Sequence, residues 1–160
     1  MVQIAARRNH GFHAIGLLVA MLAIPIPLSA SLGGDASSVQ ADQIHLQGTL
    51  RSIRAENYTV HEIHTPTGTV VREYLSPSGT VFAIAWQGPW PPDMRQLLGD
   101  YFDQYAKAAA AQSNARSGRR PIHVELPGLV VRLGGRPRSF VGQAYLTDQL
   151  PAGVSAEELQ

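Results

Sequence analysis

The residues whose types and spacing most readily suggest chemistry are His61, Glu62 and His64. Zinc proteases carry two histidines four residues apart on a helix, on either side of a glutamate. Here the histidines are three residues apart in a segment typical of a β-strand, so alternation places His61 on one face and Glu62 with His64 on the other. A metal site would need a further ligand, such as His45 or His123. Metal binding is therefore the weaker alternative, and no metal site is predicted.

Nucleophilic catalysis has little support in the sequence. The chain has no Gly-x-Ser-x-Gly elbow of the kind that exposes a hydrolase serine. It also has no cysteine, which excludes thiol catalysis, thiolate metal sites and disulfide bonds. No motif in the chain implies a cofactor, so none is expected.

Aromatic side chains favour ligand binding instead. Trp86 precedes a proline-rich elbow at residues 88–92, and Trp90 lies within it. Exposed indole faces can stack on sugar rings or peptides, whereas a buried indole packs in the core. Trp86 ends an apolar strand and could be buried; Trp90 lies between prolines and should be the more exposed of the two. Both are retained as candidate ligand contacts.

Arginines form a second candidate surface. Arg119 and Arg120 lie in a polar loop at residues 113–121, and further arginines at 132, 136 and 138 surround a predicted hairpin. Such clusters either contact polyanions, including lipopolysaccharide and acidic polysaccharide, or are simply solvated. We predict ligand contacts at Arg119 and Arg120, with an unknown protein or an envelope polysaccharide as the partner.

A repeated turn organises the first half of the sheet. Thr-Pro-Thr-Gly-Thr-Val at residues 65–70 recurs as Ser-Pro-Ser-Gly-Thr-Val at residues 76–81. Proline presets the second turn position and glycine closes the turn, so the repeat predicts a meander of strands 58–64, 69–75 and 80–86. Strand 80–86 is apolar on both faces, which predicts the central position.

The remaining elements predict one main amphipathic helix and a C-terminal hairpin. Asp93 caps a helix whose apolar stripe runs to Tyr105, and a shorter helix is predicted at residues 38–47, where Ser37 and Gln40 have capping-box spacing. Strands are predicted at 122–126, 129–133 and 139–146. The fold class is α+β: an antiparallel sheet of about five or six strands packed against the main helix.

The first 30 residues have the pattern of a targeting signal. Arg7 and Arg8 precede an apolar run at residues 14–24, prolines break it, and small residues follow. This order is typical of a secretory signal peptide, since a spanning helix needs roughly 20 apolar residues. We predict a signal peptide at 1–30, a single domain at 31–150 and a frayed tail at 151–160. The mature protein would be periplasmic or secreted, without a stable membrane anchor.

The net charge of the mature domain limits the classes of partner that it is expected to bind. The chain carries 13 lysines plus arginines and 12 acidic residues, and Arg7 and Arg8 belong to the predicted signal peptide. The mature domain is therefore close to neutral, which excludes a general attraction for nucleic acid.

Several blocks of residues also carry a family resemblance. They are SLGGD at 31–35, YTVHE at 58–62, GTVVREY at 68–74, GTVFAIAWQGP at 79–89, LLGDYF at 97–102 and PGLVV at 127–131. Together they resemble a family of exported Gram-negative bacterial proteins catalogued as a domain of unknown function. The resemblance implies export and a single domain, and it assigns no activity or site residue.

We therefore expect a small exported domain that binds a partner and is not an enzyme. One alternative is an enzyme or metal-binding protein centred on His61, Glu62 and His64. Another is a structural envelope protein that self-associates through a sheet edge. A raised pKa at Glu62 beside a cleft would favour the enzyme, and an exposed Trp90 would favour binding.

Overall fold

The computed structural model describes residues 32–114 and 121–159. The predicted signal peptide lies outside the described residues, as do Arg119 and Arg120. Within the described part of the chain, no helix is both long and apolar enough to cross a membrane.

In the described residues, seven strands form one antiparallel sheet. The strands are β1 Thr49–Arg54, β2 Thr59–His64, β3 Val70–Leu75, β4 Val81–Gly88, β5 Ile122–Leu126, β6 Leu129–Arg136 and β7 Ser139–Leu146. Their order across the sheet is β1-β2-β3-β4-β7-β6-β5. β4 is central, and its residues from Val81 to Trp86 are all buried, as its two apolar faces predicted.

The strand count of five or six was too low because β1 was missed. No strand was predicted between the short helix at residues 38–47 and the strand at residues 58–64. Residues of β1 are mostly exposed because it is an edge strand, so the segment lacks the apolar alternation that identifies a half-buried strand. Its pairing with β2, from Thr49 opposite His64 to Arg54 opposite Thr59, makes it part of the sheet.

Both repeated turns have the same geometry. The Gly68 amide donates to the Thr65 carbonyl at 3.0 Å, and the Gly79 amide donates to the Ser76 carbonyl at 2.9 Å. The two glycines have φ values of +86° and +85°, a region that residues with a Cβ rarely enter. The repeat therefore produces the predicted meander of β2, β3 and β4.

Among the residues that the structure describes, three α-helices cover one face of the sheet. α1 spans Ala36–His45, α2 spans Met94–Leu98 and α3 spans Phe102–Asn114. The predicted main helix is divided because Gly99 adopts a φ of +49° and begins a 3-10 turn before α3. α1 begins earlier than predicted because its cap is Asp35, whose side chain accepts from the amides of Ser37 and Ser38.

The core is double-sided. On the face beneath the helices, here called the helix face, β-strand residues pack against Val39, Leu97, Leu98 and Tyr105. On the opposite face, here called the tail face, Tyr74, Phe82 and Tyr145 pack against residues that follow β7.

The prediction of a frayed tail is wrong for the described residues. Leu159 is 1 % exposed and packs in the tail-face core, and Leu150, Val154 and Ala156 pack against the same cluster. The tail-face core includes Phe82, Ala83 and Ala85 of β4, which need apolar cover to leave water. The tail supplies that cover, so it belongs to the fold.

We predict that Gly142→Ala destabilises the protein by about 1–3 kcal/mol, because it overpacks the core. A Cβ at Gly142 would lie 2.2 Å from Cζ2 of the buried Trp86 ring, so the indole would have to move. Gly134→Ala is the matched control, since its Cβ would meet no atom closer than 3.9 Å. Urea unfolding of both variants measures the difference, and equal stabilities would contradict this packing.

We also predict that Leu159→Ala lowers the free energy of unfolding by about 2–5 kcal/mol, as expected for a large side chain removed from a core. The neighbouring Glu158 is exposed, so Glu158→Ala should change stability by less than about 0.5 kcal/mol. Thermal unfolding compares the two. A Leu159→Ala protein as stable as the Glu158→Ala control would show that the tail is not docked.

Candidate functional site

A cavity of about 530 Å³ opens at one end of the sheet. It lies where β4 and β6 end and where β5 and β7 begin. Its lining consists of Trp86, Gln87, Pro121, Ile122, His123, Arg132, Leu133, Gly134, Val141, Gly142, Gln143 and Leu159. Ligand pockets are typically clefts of about 300–1,000 Å³ with mostly apolar walls and a few polar groups, and this cavity fits that description.

Strand register places several of these side chains on the tail face. Gln87 lies opposite Val141 across β4 and β7, and Arg132 lies opposite Gln143 across β6 and β7. Alternation then puts all four on the face that also carries Tyr145. Val141 is 43 % exposed, although it lies in a strand next to the central one. The tail therefore leaves this end of the face open.

Arg132 is held in place by its neighbours. Its guanidinium carbon lies 5.9 Å from the centre of the Tyr145 ring. In the amide orientation that satisfies both ends of Gln143, its oxygen accepts from Arg132 Nη1 at 3.3 Å and its nitrogen donates to the Leu159 carbonyl at 2.7 Å. A guanidinium fixed in this way can donate to a ligand in the cavity at low entropic cost.

The two candidate tryptophans differ in their surroundings. Trp86 is only 2 % exposed and its ring lies against Gly142, so it forms part of the cavity wall and offers no free stacking face. Trp90 is 58 % exposed. Its carbonyl accepts from the Thr69 hydroxyl at 2.7 Å, which fixes the elbow backbone while the indole stays in solvent.

The elbow is also held by close packing. A Cβ at Gly88 would lie 2.4 Å from the Thr69 Cα. Glycine at this position therefore permits the end of β4 to approach Thr69, the residue just before β3, closely. Gln87, immediately before it, lines the cavity. Pro121, which follows the predicted contacts Arg119 and Arg120 in sequence, lines it too. The elbow and the basic loop are thus both adjacent in sequence to cavity residues.

The residues of the enzyme alternative are arranged differently. Glu62 Oε1 accepts from Arg72 Nε at 2.8 Å, and Glu62 Oε2 lies 3.7 Å from His64 Nε2. The bond to Arg72 lowers the pKa of Glu62, the opposite of the shift expected for a catalytic acid. His61 Nδ1 instead lies 2.8 Å from Ser52 Oγ. Over residues 32–114 and 121–159, no three potential ligand side chains meet around a point that could hold a metal.

A pair of buried carboxyl groups was not predicted from the sequence. Asp42 in α1 is 0 % exposed and Glu73 in β3 is 1 % exposed. Burial, followed by the hydrogen bond and the charge of Asp42, raises the pKa of Glu73 to about 10. Burial also raises the pKa of Asp42. The raised pKa of Glu73 favours its protonated form beside Asp42.

Sequence reasoning also missed the roles of Val141 and Gln143. Both lie in the predicted strand 139–146, but nothing in that strand indicates which residues the tail leaves uncovered. Arg132 was noted as part of a basic cluster, and its place in the cavity follows from the pairing of β6 with β7. The signal that could have located the site is the glycine pair Gly134 and Gly142, since glycines within strands mark close approaches.

We predict that acrylamide quenches the fluorescence of Trp90 and leaves that of Trp86 largely unchanged, because only Trp90 is exposed to solvent. The chain has two tryptophans, so Trp90→Phe should remove the quenchable component. The quenching slope of the variant measures this. Strong residual quenching in Trp90→Phe would show that Trp86 is accessible and would contradict the described packing.

The chain was compared with known proteins. No curated protein and no solved structure matches it. The sequence profile of one family, described as "Protein of unknown function (DUF2844)", matches residues 28–159. That range covers every described residue from Leu32 onwards and includes all the blocks on which the resemblance rested. The chain belongs to this family of proteins of unknown function.

Proposed function

We propose that this protein is an exported, non-catalytic binding domain whose cavity holds a segment of an acidic envelope polysaccharide. The observation that carries the proposal is the cavity of about 530 Å³ at the end of the sheet, with Arg132 fixed in its wall on the tail face. Export rests on the order of charged, apolar and small residues at 1–30, which is that of a signal peptide. The mature domain would act in the periplasm or outside the cell.

The composition of the lining suits a sugar ring. Val141 and Pro121 offer apolar surface to the C–H groups of a ring, while Gln87, His123 and Arg132 offer hydrogen-bonding groups. A few polar groups on an apolar wall are the pattern of small-ligand sites, in which the polar groups fix orientation.

Charge favours an acidic sugar. Arg132 lines the cavity, and Arg136 and Arg138 lie at the β6–β7 turn at the same end of the sheet. The last two are exposed. Arginine forms bidentate hydrogen bonds with planar anions such as carboxylates, which makes a uronic acid a better match than a neutral hexose.

Trp90 provides a second contact for a longer chain. The indole is exposed while hydrogen bonding and close packing at Thr69 hold its backbone. A rigid, exposed aromatic side chain loses little conformational entropy when a ligand stacks on it. A polysaccharide that extends beyond the cavity could therefore stack on this face.

The alternatives have weaker support. Glu62 is engaged by Arg72, and its lowered pKa does not suit acid–base chemistry at neutral pH. The edge strand β1 carries Arg51 and Arg54, and charged side chains on an edge discourage pairing with another chain. These observations favour the binding domain over the enzyme and over the self-associating envelope protein.

Calorimetric titration with a uronic-acid oligosaccharide tests the proposal. We expect binding that weakens as salt is added, and at least tenfold weaker binding by Val141→Trp, because the larger side chain fills the cavity. Ile53→Trp is the matched control, since Ile53 is 39 % exposed on β1, away from the cavity. It should bind like the unmodified protein.

A neutral oligosaccharide of the same length should bind more weakly than the acidic one. Equal binding of both would overturn the role of Arg132, and equal binding by Val141→Trp would overturn the cavity as the site. Binding of neither sugar, by protein whose fold is shown by circular dichroism, would overturn the proposed ligand class.

A further inference from the structure

Helix α1 is fastened to the sheet by few side chains. Its buried residues are Ser38, Val39 and Asp42, and Ile44 is 78 % exposed. The segments that precede and follow the helix in sequence are each held by close contacts. The Leu32 amide donates to the Leu97 carbonyl at 2.9 Å, and Gly48, which follows the helix, packs tightly against Ile63. The helix between these points depends on Val39 and on the carboxyl group of Asp42.

Asp42 meets Glu73 in the interior. Asp42 Oδ1 accepts from Gln96 Nε2 at 2.8 Å, which links α1 to α2. Asp42 Oδ2 and both oxygens of Glu73 have no donor when the carboxyl groups are ionised. A proton on Glu73 supplies one, because a protonated carboxyl group donates to a carboxylate. The contact is attractive with one shared proton and repulsive with none.

The neighbouring side chains do little to stabilise the ionised forms of Asp42 and Glu73. On β2, His61 lies opposite Glu73 and bonds Ser52, and burial lowers the pKa of this histidine, which favours its neutral form. Ile84 lies opposite Glu73 on β4. Tyr105 of α3, in the helix-face core, is buried with a raised pKa, so it is neutral as well.

Two further charged groups lie near Asp42. His45 Nε2 and Asp93 Oδ2 are 3.7 Å apart, both half-exposed. The histidine favours the ionised form of Asp42 and Asp93 opposes it, so their effects on Asp42 offset each other.

We propose that Asp42 and Glu73 form a proton-dependent latch: α1 stays docked on the helix face while the pair shares a proton and is released when both carboxyl groups ionise. Release would uncover apolar residues of the helix-face core, including Ile63 and Val71 of the sheet. The sheet itself would stay intact, because its strands pair independently of α1. The latch thus makes one surface of the protein available at alkaline pH and hides it at acidic pH.

The direction follows from proton binding. The pKa of Glu73 is raised from an ordinary value of 4.5 to about 10, so the docked state keeps a proton that the released state loses. Between these two pH values the docked state binds more protons, and its stability relative to the released state falls as pH rises. Docking is therefore strongest at a pH below 4.5, the ordinary pKa of the glutamate, and is lost as the pH rises through the raised pKa of Glu73.

Hydrogen–deuterium exchange of the α1 amides, on protein expressed from the complete sequence, tests the latch. From about pH 5 to about pH 9 we expect protection factors in α1, corrected for intrinsic exchange, to fall by up to roughly tenfold per pH unit. Amides of β4 should keep theirs. Glu73→Gln should remove the slope, because its amide donates to Asp42 at any pH. Glu125→Gln, at an exposed position on β5, should keep it.

The latch would be overturned if the α1 protection factors of Glu73→Gln fell with pH as steeply as those of the unmodified protein. It would also be overturned if protection in α1 and in β4 changed equally with pH. If Glu73→Gln fails to fold, infrared spectroscopy of the unmodified protein decides. A protonated carboxylic acid band at neutral pH that disappears together with α1 protection supports the latch. Its absence at neutral pH overturns the shared proton.

Discussion

The burial of β4 on both faces is the constraint on which the rest of the structure depends. Side chains alternate along a strand, so a central strand without polar positions needs apolar cover on each side. Helices α1, α2 and α3 cover one side, and the residues after β7 cover the other. The tail reaches the cavity wall at Leu159, beyond which Val141 is partly open to solvent. The candidate site thus lies where the cover of the tail face stops.

The helix face contains a buried pair of carboxyl groups, which conflicts with simple apolar packing. Burying Glu73 beside Asp42 has a free-energy cost, because a carboxylate without partners is poorly tolerated away from water. A shared proton reduces that cost and ties the docking of α1 to pH. The two proposals concern opposite faces, so ligand binding at Arg132 and release of α1 can be tested separately.

Local signals predicted the parts of the fold that local chemistry determines. The two Pro–Gly turns, the Asp93 cap and the two apolar faces of β4 each depend on neighbouring residues, and the structure confirms them. β1 was missed because an exposed edge strand has no apolar alternation. The tail was misjudged because Leu150, Val154 and Leu159 follow no helical or strand period.

The candidate site depends on register and was only partly predictable. Trp90 was identified from its proline neighbours, which favour exposure. The burial of Trp86 was expected from the apolar strand that it ends, but the close fit of its ring against Gly142 in β7 depends on a strand pairing that no local pattern reveals. The Asp42–Glu73 contact likewise requires α1 and β3 to be placed together, although the two residues are far apart in sequence.

Native mass spectrometry of the protein purified from its own host tests both export and the glycan site. We expect a chain that lacks residues 1–30 and carries a non-covalent acidic glycan, whose mass is lost when Val141→Trp fills the cavity. A chain that retains its first 30 residues would contradict export. A cleaved chain that carries a metal ion, or whose glycan persists in Val141→Trp, would contradict the binding site described here.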